Sequence, residues 1–211
     1  MPPELTSGLR HPGTEHIFRL VERLRLGWLL QHFPPLLVRA LYMFVNGFIT
    51  IGLLSLLAVL TGSAFVFPSL GPTAYLFFFS PLAESASPRD AILGNAIGLA
   101  CGYGALQFAL EYGPASFGPG VYSPKILAAA LSLAFTGAFM VLLRINHPPA
   151  GATTLIVALG LLSTPRNLVI IEVAVVLLTA QAFVINRLAG LPYPIWKSRL
   201  RLPQGHSSAS S

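Results

Sequence analysis

Two short stretches of this sequence place proline, glycine and hydroxyl residues in the same order. The first is Phe67-Pro68-Ser69-Leu70-Gly71-Pro72-Thr73-Ala74, and the second is His147-Pro148-Pro149-Ala150-Gly151-Ala152-Thr153-Thr154. Pro68, Gly71 and Thr73 match Pro148, Gly151 and Thr153 at a constant spacing of 80 residues. Because proline interrupts a helix and is tolerated in its first turn, each stretch predicts a break followed by a short helix.

A helix that begins at each break would offer chemistry for binding an anion. The N-terminus of a helix carries backbone N–H groups without helical partners and about half a positive charge. Gly71 and Gly151 would let a ligand approach the backbone. Hydroxyl donors would come from Ser69, Thr73, Thr153 and Thr154. Neutral donors suit a small anion that must bind and then leave. Alternatively, the hydroxyls only satisfy carbonyls that the break has freed.

The other polar candidates lie at or near these breaks. His147 could carry a proton or donate to an anion, and it could equally cap a helix. Asn46, Asn95 and Glu172 fall in apolar stretches, where polar groups suggest function. Glu172 either reaches the membrane interface or couples transport to protons. The predicted binding residues are Asn46, Pro68, Ser69, Gly71, Thr73, Asn95, His147, Pro148, Pro149, Gly151 and Thr153.

Motifs for catalysis, metal binding or nucleotide binding are missing from the sequence. It has no nucleophile elbow, no zinc-protease motif and no phosphate-binding glycine loop. No group of His, Cys or acidic residues has metal-ligand spacing. We therefore expect no enzyme activity, no catalytic residues, no metal and no cofactor. A membrane-embedded enzyme, the least favoured alternative, would need a converging nucleophile and base.

Composition shows that membrane helices must position these residues. The 211 residues are 54% hydrophobic and only 9% charged, whereas soluble domains are about 25% charged. The net charge is +6, but the eight charged residues between Ala40 and Asn186 balance to zero. A nucleic-acid-binding domain needs a basic face on its folded part. No nucleic-acid partner is therefore expected.

Four segments are long enough to cross a bilayer, which takes about 20 residues. They are 38–62, 89–111, 124–144 and 167–188. Two more apolar stretches, 64–83 and 147–163, are interrupted by proline. We predict these as re-entrant segments with short helices from Pro72 to about Leu82 and from Ala150 to about Leu162. If both stretches instead cross completely, the two halves of the chain have opposite orientations.

The order of segments indicates an internal duplication. Each half contains a span, a broken segment, a Pro-Arg pair (Pro88-Arg89 or Pro165-Arg166) and a second span. Repeat one covers about 38–112 and repeat two about 124–188. Paired interrupted segments point to a transport site near the midplane. The predicted fold is an all-α polytopic membrane protein with four transmembrane helices and two re-entrant or broken half-helices in two duplicated halves.

The flanking segments are predicted to be cytoplasmic tails around a membrane domain at 38–190. Residues 1–37 would include an amphipathic helix at 14–32 that lies in the membrane interface or packs on a partner, and 191–211 form a basic tail. Basic residues that flank membrane spans favour the cytoplasmic side. We therefore expect a protein of the plasma (inner) membrane with both termini in the cytoplasm. A thin bundle favours a homo-oligomer, with the Gly94, Gly98 and Gly102 ridge as one candidate interface.

The paired motifs resemble the HPP family of integral membrane proteins. The resemblance rests on residues 147–152 and 67–74 with Pro88-Arg89, and it covers about 38–190. Family members are four-span proteins, and some are linked to nitrite transport. The resemblance therefore implies a small-anion permease, with nitrite as the first candidate substrate. Together with the residues, it predicts passage between the two helix N-termini, either passive or linked to protons. The main alternative is a structural or assembly subunit that transports nothing.

Overall fold

The long helices lie close to where the sequence predicts them. The computed structural model describes residues 25–112 and 123–198. Within these ranges, the long helices are α2 (Pro35–Thr61), α4 (Pro88–Tyr112), α5 (Ser123–Leu142) and α7 (Pro165–Leu188). Each is long and apolar enough to cross a membrane. The prediction of an all-α polytopic membrane protein with four long spans is confirmed.

Shorter helices fill the two interrupted stretches and precede the first span. They are α1 (Leu26–His32), α3 (Leu70–Phe79) and α6 (Ala150–Ala158), with a 3-10 turn at Glu84–Ala86. Helix α3 begins before Pro72, because a proline in the first turn removes an N–H that has no helical acceptor. Helix α6 ends sooner than predicted. Gly160 has a φ of 76°, and the N–H of Leu161 donates to the Ile156 carbonyl, which closes the helix.

Contacts between helix ends show that α2 and α7 are antiparallel. Near the start of α2, the Tyr42 hydroxyl donates to Oδ1 of Asn186, near the end of α7, at 2.7 Å. At the opposite end, the Arg166 guanidinium at the start of α7 lies 3.4 Å from Oγ of Ser63, which follows α2. The end where α2 begins and α7 ends is called the proximal end, and the other is the distal end.

Helix α4 begins at the proximal end, and α5 returns to it. The backbone N–H of Arg89 donates to the carbonyl of Trp196, in the segment that follows α7. The Arg89 guanidinium donates to the carbonyls of Leu143 and Arg144 at the end of α5, at 3.2 and 3.1 Å. The chain therefore enters α4 and leaves α5 at the same end of the bundle.

The first interrupted stretch crosses the bundle completely. It leaves α2 at the distal end beside Arg166. The carbonyl of Phe77, in the last turn of α3, accepts a hydrogen bond at 3.0 Å from Asn186, which lies at the proximal end. A re-entrant segment would leave and return at one end. These contacts contradict the re-entrant prediction for this stretch.

The second interrupted stretch crosses in the opposite direction. It starts at the proximal end, where α5 finishes beside Arg89. It reaches the distal end at Gly160, where an added Cβ would lie 3.4 Å from Nζ of Lys125, near the start of α5. The alternative of two complete crossings, with the halves in opposite orientations, therefore fits the structure. The duplication itself stays a prediction.

The broken segments lie in the core, while the outer helices face outward. Phe77 of α3, Val157 of α6 and Leu178 of α7 are fully buried. Large apolar side chains of α2 and α5 are exposed, including Phe48 and Val141, as expected for surfaces that contact lipid. Most of the predicted interfacial helix, at 14–24, lies outside the described residues. So does the basic tail from 199 onward.

Candidate functional site

A cluster of buried polar side chains lies where the two broken segments meet. It consists of Ser69, Thr73, Asn95, His147 and Thr153, and is called the polar cluster below. None of these residues is more than 1% exposed. All five were predicted as binding residues, and the fold brings them together from α3, α4, α6 and the residues before the short helices.

Thr153 links the two broken segments to α4. Its Oγ1 lies 2.7 Å from Oγ of Ser69 and 2.5 Å from Oδ1 of Asn95. Because Oδ1 only accepts and Thr153 has a single hydroxyl hydrogen, Thr153 donates to Asn95 while Ser69 donates to Thr153. The amide nitrogen of Asn95 donates to the Ala91 carbonyl at 2.8 Å, which fixes the orientation of its side chain.

His147 is held between the 3-10 turn and α3. Its Nδ1 lies 2.9 Å from the Ser85 carbonyl, and since a carbonyl only accepts, Nδ1 carries a hydrogen. Its Nε2 lies 3.2 Å from Oγ1 of Thr73, which is 3.0 Å from the Ser69 carbonyl. When the ring is neutral, the single hydroxyl hydrogen of Thr73 can be donated either to Nε2 or to the Ser69 carbonyl, but not to both. A protonated ring satisfies both contacts, because Nε2 then donates to Thr73.

The glycine ridge of α4 provides the surface on which α6 and His147 pack. A Cβ at Gly94 would lie 2.8 Å from Cβ of His147. Cβ atoms at Gly98 and Gly102 would lie 2.8 and 2.6 Å from the carbonyl oxygens of Ala150 and Thr154. The prediction that this ridge forms an oligomer interface is wrong, because α6 of the same chain already covers it.

Arg89 and Asp90 fix the turn that leads to His147. Arg89 donates to the carbonyls of Leu143 and Arg144, directly after α5, and pairs with Asp90 at 3.0 Å. Oδ2 of the fully buried Asp90 accepts from the backbone N–H of Asn146 at 3.2 Å. These bonds determine where the chain enters the His-Pro-Pro turn. The Pro-Arg pair served in the sequence only as a marker of the repeat, so this role was missed.

The backbone N–H groups of α6 do not form the predicted anion site. The N–H groups of Ala150, Gly151 and Ala152 donate to the carbonyls of residues 147, 148 and 149, each at 3.0 Å. The N–H of Thr153 also donates to the Pro149 carbonyl, at 3.3 Å. The tight turn before α6 thus uses the N–H groups that were expected to be free. Donors at this end of α6 come from side chains.

Several predicted site residues lie away from the polar cluster. Asn46 is buried, but its amide donates to the Tyr42 carbonyl of its own helix at 2.8 Å. Pro68, Gly71 and Pro148 are exposed, and an added Cβ at Gly71 would meet no atom within 4 Å. No other atom of the described residues therefore packs closely on Gly71, and the approach of a ligand to its backbone stays a prediction.

The two remaining predicted residues border the cluster. Pro149 is buried directly before α6. Gly151 is partly buried, and its added Cβ would lie 3.5 Å from Leu133 of α5.

Two further polar contacts support this region and were not predicted. The Ser85 carbonyl, in the 3-10 turn, accepts from His147. Thr136 of α5 donates to Oγ1 of Thr154 in α6 at 3.1 Å. From the sequence alone, Thr136 could be placed in a span, but neither its partner nor that of Ser85 could be predicted. The partners depend on the crossing of α6 between α4 and α5, which local sequence does not specify.

Comparison with known proteins agrees with this architecture. Residues 33–194 match the family model described as HPP, transmembrane region. No curated protein and no solved structure shows significant similarity to the chain. The match covers more than half of the sequence and includes all four long helices, both short crossing helices and the polar cluster. The chain belongs to the HPP family of multi-pass membrane proteins.

Proposed function

We propose that this protein is a permease for a small monovalent anion, with nitrite as the first candidate. The observation that carries the proposal is the buried polar cluster between the starts of α3 and α6. A membrane protein that only needs to pack has little reason to bury hydroxyl, amide and imidazole groups from both halves at one point. Nitrite comes from the family resemblance, and the chemistry of the cluster suits small anions in general.

The cluster can attract an anion without a fixed positive charge. Helices α3 and α6 both begin beside it, so the positive ends of their dipoles are directed toward the cluster. Ser69, Thr73 and Thr153 supply hydroxyl hydrogens that can turn toward a ligand. Burial without a counter-charge favours the neutral ring of His147, whose Nε2 faces Thr73. An anion held by such neutral groups can leave again, as transport requires.

Transport through this point requires the cluster to open. Its side chains are buried and bonded to one another, so an entering anion must replace bonds such as that between Ser69 and Thr153. We propose a path between the starts of α3 and α6 that opens when these helices separate. Alternating access by movement of one repeat against the other is common in proteins with inverted repeats.

The proposal includes the setting of the protein and its partners. We place both termini on the cytoplasmic side of the plasma (inner) membrane, because basic residues flank the spans. We also propose a homo-oligomer, because Pro68, in the irregular segment before α3, is exposed. Such backbone at membrane depth has to be covered by protein or line a water-filled cavity. No enzymatic reaction forms part of the proposal.

Flux into liposomes that contain the purified full chain tests the proposal. Nitrite, nitrate, formate, bicarbonate and chloride are compared, with protein-free vesicles as background. We expect saturable nitrite uptake that falls at least tenfold in Thr153→Val. The matched control is Thr179→Val, since Thr179 is also buried in a span and its hydroxyl donates only to the Val175 carbonyl of its own helix.

Two results would each count against one part of this proposal. Absence of flux for every anion, from protein that is folded, would favour the structural or assembly subunit. Equal flux in Thr153→Val and wild-type protein would leave transport intact but remove the polar cluster from the path.

A further inference from the structure

Glu172 has a buried carboxylate that nothing in the proposed site uses. It lies in α7, and both of its carboxylate oxygens are buried without a hydrogen-bond partner among the described residues. The prediction that it reaches the membrane interface is therefore contradicted. Burying a charged carboxylate without a partner costs several kcal/mol, so such a group takes up a proton and becomes neutral.

The repeat alignment assigns Glu172 a position equivalent to that of Asn95. Pro88-Arg89 aligns with Pro165-Arg166 at a spacing of 77 residues, and the same spacing takes Asn95 to Glu172. Burial supports this alignment. Five buried residues of α7 fall on buried residues of α4 at this spacing: Ile171, Val175, Thr179, Ala182 and Asn186 fall on Gly94, Gly98, Gly102, Ala105 and Ala109.

Contacts between the halves repeat at the same spacing. Arg89 of the first half contacts the end of α5 in the second half. Arg166, its equivalent, contacts Ser63 just after α2 in the first half. Asn95 bonds to Thr153 in the short helix of the other half. By the same relation, we expect Glu172 on the side of α7 directed toward α3, which packs against α7.

We infer that Glu172 is the residue that binds the proton carried together with the anion. This inference rests on the proposed function and specifies its coupling ion. In the first half, the neutral Asn95 at this position bonds to Thr153 within the polar cluster. In the second half, a carboxyl group at the matching position can gain or lose a proton as the site fills and empties. The proton that Glu172 takes up compensates the negative charge of the anion that crosses with it.

A proton fits the surroundings of Glu172 better than a metal cation does. A metal cation would need several oxygen ligands around it, whereas the carboxylate oxygens have no polar neighbour within hydrogen-bond distance in the described part of the chain. Within the same residues, no group of three or more His, Cys, Asp or Glu could hold a metal. A proton needs only the carboxylate itself.

The charged and titratable groups near Glu172 either have partners or are at least partly exposed. Glu172 is therefore the proton site that we assign to α7. Helices α2, α3 and α4 pack against α7. Tyr42 bonds to Asn186, Asp90 pairs with Arg89, and Tyr103 accepts from Gln107. Arg39, Tyr75, Glu111 and Tyr112 are exposed, Cys101 is partly buried on α4, and Arg166 of α7 itself contacts Ser63.

Proton-driven nitrite accumulation in proteoliposomes tests this role. With one proton per anion, an inward gradient of one pH unit supports about tenfold accumulation. Protein-free vesicles correct for diffusion of neutral nitrous acid. We expect Glu172→Gln, which mimics the protonated carboxyl, to lose gradient-driven accumulation while nitrite exchange at equal pH remains measurable. The exposed Glu111→Gln at the end of α4 is the matched control and should accumulate nitrite like the wild type.

Infrared spectroscopy provides a readout of the proton that does not depend on transport. At neutral pH, the wild-type protein should show a carboxylic-acid carbonyl band that Glu172→Gln lacks and Glu111→Gln keeps. Full gradient-driven accumulation in Glu172→Gln, or absence of this band in the wild type, would overturn the assignment. Wild-type exchange without accumulation would refute coupling but spare the permease. Absence of both exchange and accumulation would refute the permease itself.

Discussion

Replacing Gly102 by alanine has two opposite effects on stability, a gain in helix propensity and a loss in helix packing. In an exposed helix interior, Gly→Ala stabilises a protein by about 1 kcal/mol. At Gly102, the added Cβ would lie 2.6 Å from the Thr154 carbonyl oxygen and 3.0 Å from Cβ of Val157. The backbone carbonyl cannot move without shifting α6, and overpacking of this kind costs about 1–3 kcal/mol. We therefore expect Gly102→Ala to be less stable than wild type.

Gly104→Ala is the matched control on the same helix. Its added Cβ would meet no atom within 4 Å, so this variant should keep the full gain in helix propensity. Both variants gain helix propensity, so the difference in their unfolding free energies is the cost of overpacking alone, about 1–3 kcal/mol. Denaturant unfolding in detergent micelles measures this difference. Equal stability of the two variants would refute the close packing of α6 on α4.

Two further predictions concern residues that fix the ends of the bundle. Arg89→Gln removes charged hydrogen bonds to the end of α5 and should cost about 1.5–3 kcal/mol in unfolding free energy, more than Arg166→Gln. Equal losses would contradict the role of Arg89. Tyr193→Phe removes a 2.5 Å hydrogen bond from the Tyr193 hydroxyl to the Ala86 carbonyl and should cost about 1 kcal/mol. Burial raises the pKa of Tyr193 above its ordinary 10.0, so this contribution falls as pH rises past that value. Tyr193→Phe should show a weaker loss of stability there, and an unchanged pH dependence would contradict this reasoning.

The sequence was informative wherever one local property decides the structure. Length and hydropathy located the long spans, and proline placed the breaks before α3 and α6. The match between Thr73 and Thr153, together with His147, located the polar cluster. These features depend on residues close together in the chain, so a single sequence is enough to predict them.

The features that the sequence missed depend on partners far apart in the chain. Loop charge did not decide between re-entrant and complete crossings, because the connecting segments carry few charges of either sign. The Gly102 ridge could have faced any helix, and only the path of α6 shows which. The N–H groups of α6, which were predicted to be free, are a local exception, because their acceptors are the carbonyls of residues 147–149, only three or four positions earlier.

Cysteine accessibility tests most directly whether the anion passes through the polar cluster. Thr153→Cys is made in a Cys101→Ser background, because Cys101 is the chain's single cysteine. It is treated with a small negatively charged thiol reagent during nitrite transport. We predict that modification blocks flux and that nitrite slows the modification, whereas Thr179→Cys shows neither effect. Modification of Thr153→Cys that leaves nitrite flux unchanged would contradict the central claim.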